Sequence, residues 1–256
     1  DWEQYDEALG CRVFLVSMMM VNNETGALYD VGRAFSMAKA RNPDIVTHTD
    51  AVQGYLKGRW TPGALSADLV TLSAHKIHGP KGVGALYVSP EALRRRDIVP
   101  CLLGGGQEAG FRSGTENLIG IAGFGQAAEE GYTQLSANIE AMQALRAQAI
   151  ALLGELPVTL NLPSGRCAPH ILNFTLPGIR SETMLHELSR NGICVSNGSA
   201  CSSHHAHPST ALIAFGLTPE QAGCSIRVSF SASNTPQEVS ALAERLRDAI
   251  GRLVRA

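Results

Sequence analysis

Short apolar runs that end abruptly in polar side chains alternate with helix-spaced segments along most of the chain. Ile45-Val46-Thr47-His48-Thr49 runs into Asp50-Ala51-Val52-Gln53, and Leu69-Val70-Thr71-Leu72 runs into Ser73-Ala74-His75-Lys76. Near-continuous apolar runs of strand length read as buried strands of a parallel sheet. An earlier run over residues 12–17 predicts a strand, and spacing over about 31–40 predicts the helix that links it to the Ile45 run as a βαβ unit. After a loop of His78-Gly79-Pro80-Lys81-Gly82, residues 84–88 predict another strand, and a glycine-rich segment follows over residues 103–115.

The pattern then changes. Residues 136–153 are rich in Ala, Leu, Gln and Glu with apolar spacing near the helical repeat. Beyond them, strands are expected over residues 158–160, 171–174, 193–195 and 226–230, with helices near 181–191, 208–215 and 235–255. The architecture expected is α/β, a mostly parallel sheet with flanking helices followed by a smaller α/β lobe, with the boundary near residues 125–135.

Composition narrows the function. The 256 residues are 45% hydrophobic and 17% charged with a formal net charge of −2, and no Lys/Arg block or basic-aromatic stripe marks a nucleic-acid surface. The longest apolar stretch, residues 13–21, is far below the ~20 residues of a membrane span. The opening Asp1-Trp2-Glu3-Gln4-Tyr5-Asp6-Glu7 is not a secretory signal, which places the protein in the cytoplasm by expectation. Six cysteines occur without a Cys-x-x-Cys pair, and their apolar character predicts that most are buried.

The strand ends carry the chemistry. In an open α/β sheet the carboxyl ends of parallel strands line the ligand crevice, which would gather Asp50, Gln53, Ser73, His75 and Lys76. That set suits pyridoxal phosphate: lysine forms the Schiff base, a carboxylate keeps the pyridine nitrogen protonated, and small donors hold the phosphate. Each residue alone has a plainer role, His75 as a core histidine, Ser73 as a helix cap, Asp50 as an N-cap. A second group, Val195-Ser196-Asn197-Gly198-Ser199-Ala200-Cys201-Ser202-Ser203-His204-His205-Ala206-His207-Pro208, surrounds one thiol with small residues. It describes an exposed loop with a nucleophile at its tip. The competing reading is a metal site of Cys201 with His204, His205 and His207, whose spacing fits no standard zinc pattern. Arg227, alone on an apolar strand, offers a fork for a carboxylate, or else an ion pair with an internal Asp or Glu. Asn23 sits in the turn after the first strand.

Val21-Asn22-Asn23-Glu24-Thr25-Gly26, His48-Thr49-Asp50-Ala51-Val52-Gln53, Ser73-Ala74-His75-Lys76-Ile77-His78-Gly79-Pro80-Lys81-Gly82, Arg112-Ser113-Gly114-Thr115 and Gly198-Ser199-Ala200-Cys201 together resemble the cysteine desulfurases, pyridoxal-phosphate enzymes of the class V aminotransferase group. The matches fall in family order over nearly the whole chain. The resemblance implies that Lys76 is the internal-aldimine lysine, Asp50 the partner of the pyridine nitrogen and Gln53 the donor to the phenolic oxygen. Ser73 and His75 would bind the phosphate, and Thr115 would reach the cofactor of the other subunit of a homodimer. Asn23 and Arg227 would hold the carboxylate of L-cysteine, and Cys201 would take its sulfur as a persulfide, leaving L-alanine. The sulfur would pass to an acceptor or iron–sulfur scaffold protein, or toward tRNA thiolation.

Family members carry many further residues ahead of the strand at Val13, including a phosphate loop and a histidine that stacks on the cofactor. Residues 1–130 are therefore expected to be the carboxyl-side half of the large cofactor domain, and 131–256 the small domain with the cysteine loop. Activity is expected to need the amino-terminal half, supplied by a partner chain if this chain is one part of a split enzyme. A selenocysteine lyase or another class V enzyme is the nearest alternative, and a non-catalytic sulfur-relay or scaffold-binding subunit is the alternative of a different kind.

Overall fold

A computed structural model describes residues 1–198 and 209–253. They fall into two compact units, Asp1–Val21 with Tyr29–Leu135, and Asn22–Leu28 with Ser136–Ala256.

In the first unit, α1 (Trp2–Leu9) precedes β1 (Leu15–Met19), α2 (Val31–Arg41), β2 (Val46–Asp50), β3 (Leu69–Ser73), β4 (Gly84–Val88), α3 (Pro90–Arg95) and α4 (Leu118–Thr133). The sheet order is β1-β2-β3-β4; the first three strands are parallel and β4 runs antiparallel to β3. Val16, Thr47, Thr49 and Val70 are buried on one face. The buried stripe of α2, Val31, Ala34, Phe35 and Ala38, packs with β1 and β2. The other face differs from expectation. Leu15, Ser17 and Met19 of β1, Asp50 of β2 and Leu86 of β4 share it by register, and all five are exposed. The strands are therefore buried on one face rather than two. The strand expected over residues 12–17 starts three residues later and ends two residues later, because pairing of Leu15 with Val46 through Met19 with Asp50 carries it into the methionine run.

Asp68 pins the start of β3. Burial pushes its carboxyl up, but hydrogen bonds from Lys39 and from the Thr47 backbone and hydroxyl outweigh that and hold it below the usual carboxylate range. A carboxylate with a depressed folded-state pKa contributes stability that is complete above its unfolded value of about 3.9 and lost as pH falls through the folded value. Asp68→Asn is expected to cost about 2 kcal/mol at neutral pH, less than the ~3–5 for breaking a fully buried pair because Lys39 is partly solvated. It should also flatten the acid-side loss of stability. Urea unfolding at neutral and acid pH checks both.

The second unit is built on a three-stranded antiparallel sheet, β5 (Thr159–Leu160), β6 (Ile171–Thr175) and β7 (Ser225–Ser229), with β6 central and buried along its whole length. Its helices are α5 (Leu135–Leu153), α6 (Ser181–Arg190), α7 (Thr210–Ala214), α8 (Pro219–Gly223) and α9 (Pro236–Leu253). Leu172 and Phe174 of β6 and Ile226 of β7 share one core with Leu153 of α5, Met184 and Leu188 of α6, and Leu246 of α9. Residues 193–195 do not form the expected strand; the neighbouring Ser196 makes only an isolated bridge to Arg227. The cysteines also depart from expectation. Among the described residues Cys224 is buried, and burial pushes its thiol up, whereas Cys11, Cys101 and Cys194 are exposed and Cys167 is half-buried. They fall in turns and connections rather than in the strands and helices that build the cores.

Candidate active site

In the first unit, β2 and β3 end side by side: the Ala51 N–H donates to the Thr71 carbonyl at 3.1 Å, and Asp50 stands opposite Thr71. Asp50 is not buried as the apolar run suggested, since it occupies the last strand position on the open sheet face. Its Oδ1 accepts the Val52 N–H at 2.9 Å, which sets the turn that carries half-buried Gln53. On the same face His48 Nδ1 pairs with Ser17 Oγ at 2.7 Å. Burial lowers the His48 pKa, and the Asp50 charge pulls it back up.

β3 passes directly into a 3₁₀ turn, Ala74–Ile77, rooted by the buried side chains of Ala74 and Ile77 and ended by His78 in the left-handed conformation. His75 faces solvent, and its Nδ1 lies 2.6 Å from Ser73 Oγ, an arrangement that joins the two expected phosphate ligands. Lys76 is half-buried, and its amine has no hydrogen-bond or ion-pair partner among the described residues. Helix α4 packs on this turn. Thr115 is exposed in the loop ahead of α4.

In the second unit, Arg227 lies mid-way along β7 and donates from Nη1 to the Asn23 carbonyl at 2.9 Å. The two residues expected to share one role are thus in contact, through the Asn23 backbone. A chain of buried amides fixes the segment around Asn23. Asn161 Nδ2 donates to Asn173 Oδ1 at 2.7 Å, Asn173 Nδ2 donates to the Glu24 carbonyl at 3.2 Å, and Asn22 Oδ1 accepts the Glu24 and Thr25 N–H groups at 2.9 Å each. Burial pushes the Arg227 guanidinium below the usual arginine range, and the charge of Glu24 pulls it back up. Sequence reasoning passed over Glu24 and Asn173. The available signal was a charged residue inside a turn of small polar ones, and one amide in the apolar run Ile171-Leu172-Asn173-Phe174. Cys201, His204, His205 and His207 lie outside the described residues.

The aminotransferase class-V family model matches residues 1–242. The chain belongs to the class V aminotransferases. Among curated class V relatives, it is 38% identical over 248 residues to the cysteine desulfurase IscS of Clostridium botulinum, covering 95% of this chain and 61% of the relative. It is 37% identical over 240 residues to the cysteine desulfurase IscS of Vibrio vulnificus, covering 93% and 58%. The X-ray structure of a NifS-like protein from Rickettsia africae superposes with a TM-score of 0.87 at 32% identity, covering 97% of this chain and 66% of that one. The chain thus spans about 61% of the length of the first of these relatives. The α/β fold, with its mostly parallel first sheet, is that of the class V, NifS-like proteins.

Class V aminotransferases use pyridoxal phosphate, and the residues of the first unit fit that group. They supply a half-buried amine without an acceptor among the described residues, a strand-end carboxylate with one oxygen engaged in a turn, and a hydroxyl–imidazole pair at the same turn as the amine.

Proposed function

We propose that this chain carries cysteine desulfurase chemistry, converting L-cysteine to L-alanine with transfer of sulfur to Cys201. The observation that carries the reading is the Lys76 amine, without a partner among the described residues, on a rooted 3₁₀ turn beside the Asp50 strand end. Lys76 would hold pyridoxal phosphate covalently, Asp50 would keep a proton on its ring nitrogen, Gln53 would donate to its phenolic oxygen, and Ser73 and His75 would bind its phosphate. Thr115 would serve the cofactor of a second copy. When bound, the cofactor supplies an electron sink that makes the substrate's α-proton acidic.

The chain's own groups do the rest. Lys76 Nζ would also serve as the base for that proton. Asn23 and Arg227 orient the substrate by its carboxylate, for which a guanidinium provides a matched pair of donors. The Cys201 thiolate attacks the substrate sulfur: the new S–S bond forms as the Cβ–S bond breaks, the bonding pair stays with carbon, and a proton completes alanine. Cysteine and one enzyme thiol thereby yield alanine and one enzyme persulfide, with no external oxidant. A sulfur-acceptor or iron–sulfur scaffold protein would take the sulfur onward.

Localisation in the cytoplasm is supported by the free thiols, and among the described residues no helix is long and apolar enough to cross a membrane. The exposed face of the first sheet supports a requirement for further polypeptide, corresponding to the part of the relatives that lies beyond the matched stretch. Equilibrium dialysis tests this. Pyridoxal phosphate should bind weakly to the 256-residue chain alone and tightly once a polypeptide covering that face is present; equal affinity in both states overturns the split-site requirement.

A further inference from the structure

We propose that Glu24 is a positioning residue for Arg227, holding the guanidinium so that its free edge meets an amino-acid carboxylate; this rests on the reading of Arg227 as the carboxylate fork. Glu24 is only 5% exposed, and its Oε2 has no hydrogen-bond partner among the described residues. Arg227 Nε is likewise buried and has no partner among the described residues, while Nη1 is committed to the Asn23 carbonyl at 2.9 Å. The Glu24 charge acts on Arg227, although no ion-pair contact joins them. A buried carboxylate and a half-buried guanidinium, each with a buried atom that has no partner among the described residues, therefore lie within electrostatic range inside one unit.

Burying a carboxylate without a bond is costly, and a neutral side chain of the same shape would relieve that cost. Retaining the charge at the expense of stability is typical of functional positions. The remaining edge of Arg227, Nε with Nη2, is the pair of parallel donors that matches a carboxylate. A negative charge near the guanidinium favours one orientation of it, and that restriction turns a diffuse positive charge into an oriented fork. The surroundings accommodate the carboxylate. Gly198 has φ +111°, and a Cβ built there would stand 3.2 Å from Glu24 Oε2, so a side chain at this position would be both strained and crowded. The Glu24 backbone is held independently, its N–H by Asn22 Oδ1 and its carbonyl by Asn173, so losing the side chain leaves the turn tied down.

The test measures binding of L-alanine and of L-alaninamide, which lacks the carboxylate, to the full chain together with any polypeptide that purifies with it. Ligand-observed NMR without added cofactor makes the readout independent of turnover. The wild-type protein should prefer L-alanine, and Glu24→Ala should reduce that preference by about tenfold, the scale of one misplaced charge-assisted hydrogen bond. Glu24→Gln, which keeps the shape but not the charge, should reduce it nearly as far, with melting temperature unchanged or raised in both variants. A preference that survives Glu24→Ala but vanishes in Arg227→Ala overturns the role of Glu24 alone. A preference that rises in Glu24→Ala, or equal weakening of both ligands with a lowered melting temperature, also overturns it. Absence of any preference in the wild type, or its persistence in Arg227→Ala, overturns the Arg227 reading and the Glu24 role together.

Discussion

Lys76→Ala is expected to abolish both cysteine turnover and the visible absorbance of the lysine-bound cofactor. The loss of turnover should reach roughly four orders of magnitude or more, the scale on which removal of a covalent catalytic group acts. The position leaves little room for substitution by a neighbour. Ala74 and Ile77 root the turn on either side of Lys76, and His75 points to solvent, so among the described residues of this turn only Lys76 brings an amine to the half-buried site. Lys76→Arg should fail as completely, because a guanidinium keeps the charge but does not lose its proton to become a nucleophile. Absorbance spectra and alanine assays on both variants check the expectation. A variant that keeps the absorbance band places the covalent attachment elsewhere.

Cys201→Ser is expected to separate cofactor binding from sulfur transfer. The absorbance should remain, while sulfide and alanine release fall by roughly a thousandfold or more, because a serine hydroxyl is not ionised near neutral pH whereas a cysteine thiol of pKa about 8.5 is already a few per cent thiolate. Cysteine turnover assayed with and without an external thiol, beside the absorbance spectrum, checks both halves. Undiminished sulfide release from Cys201→Ser would remove Cys201 from the reaction. Comparing turnover of selenocysteine in the same variant separates a desulfurase from a selenocysteine lyase.

The parts of the fold legible in the sequence were those whose burial is dictated locally. The runs at Val46 and Leu69 are strands because β-branched and apolar side chains must leave water, and they pair in parallel with Asp50 opposite Thr71. β6 was legible for the same reason, since all of Ile171–Thr175 is buried. Where pairing partners rather than side-chain character decide, the sequence was less informative. The limits of β1 follow from its register on β2, and residues 193–195, apolar enough for a strand, find no ladder beyond the single bridge at Ser196. Asp50 illustrates the same limit in the site. Its run suggested burial, but one face of that sheet is open, and exposure of a side chain depends on what covers it rather than on its neighbours in the chain. Glu24 was illegible for the opposite reason: a charged residue in a polar turn reads as solvated, and only the fold reveals that amides from β6 and the segment before it hold that turn inside the second unit.

The most direct test of the proposed chemistry is peptide mass spectrometry of the native protein, with its cofactor and any co-purifying polypeptide, after a single turnover of L-cysteine. The peptide that contains Cys201 should gain the mass of one sulfur atom, in amounts equal to the alanine formed and reversible by a reducing thiol. Alanine formed without added sulfur on that peptide, or no alanine formed although the cofactor is bound, would contradict the assignment.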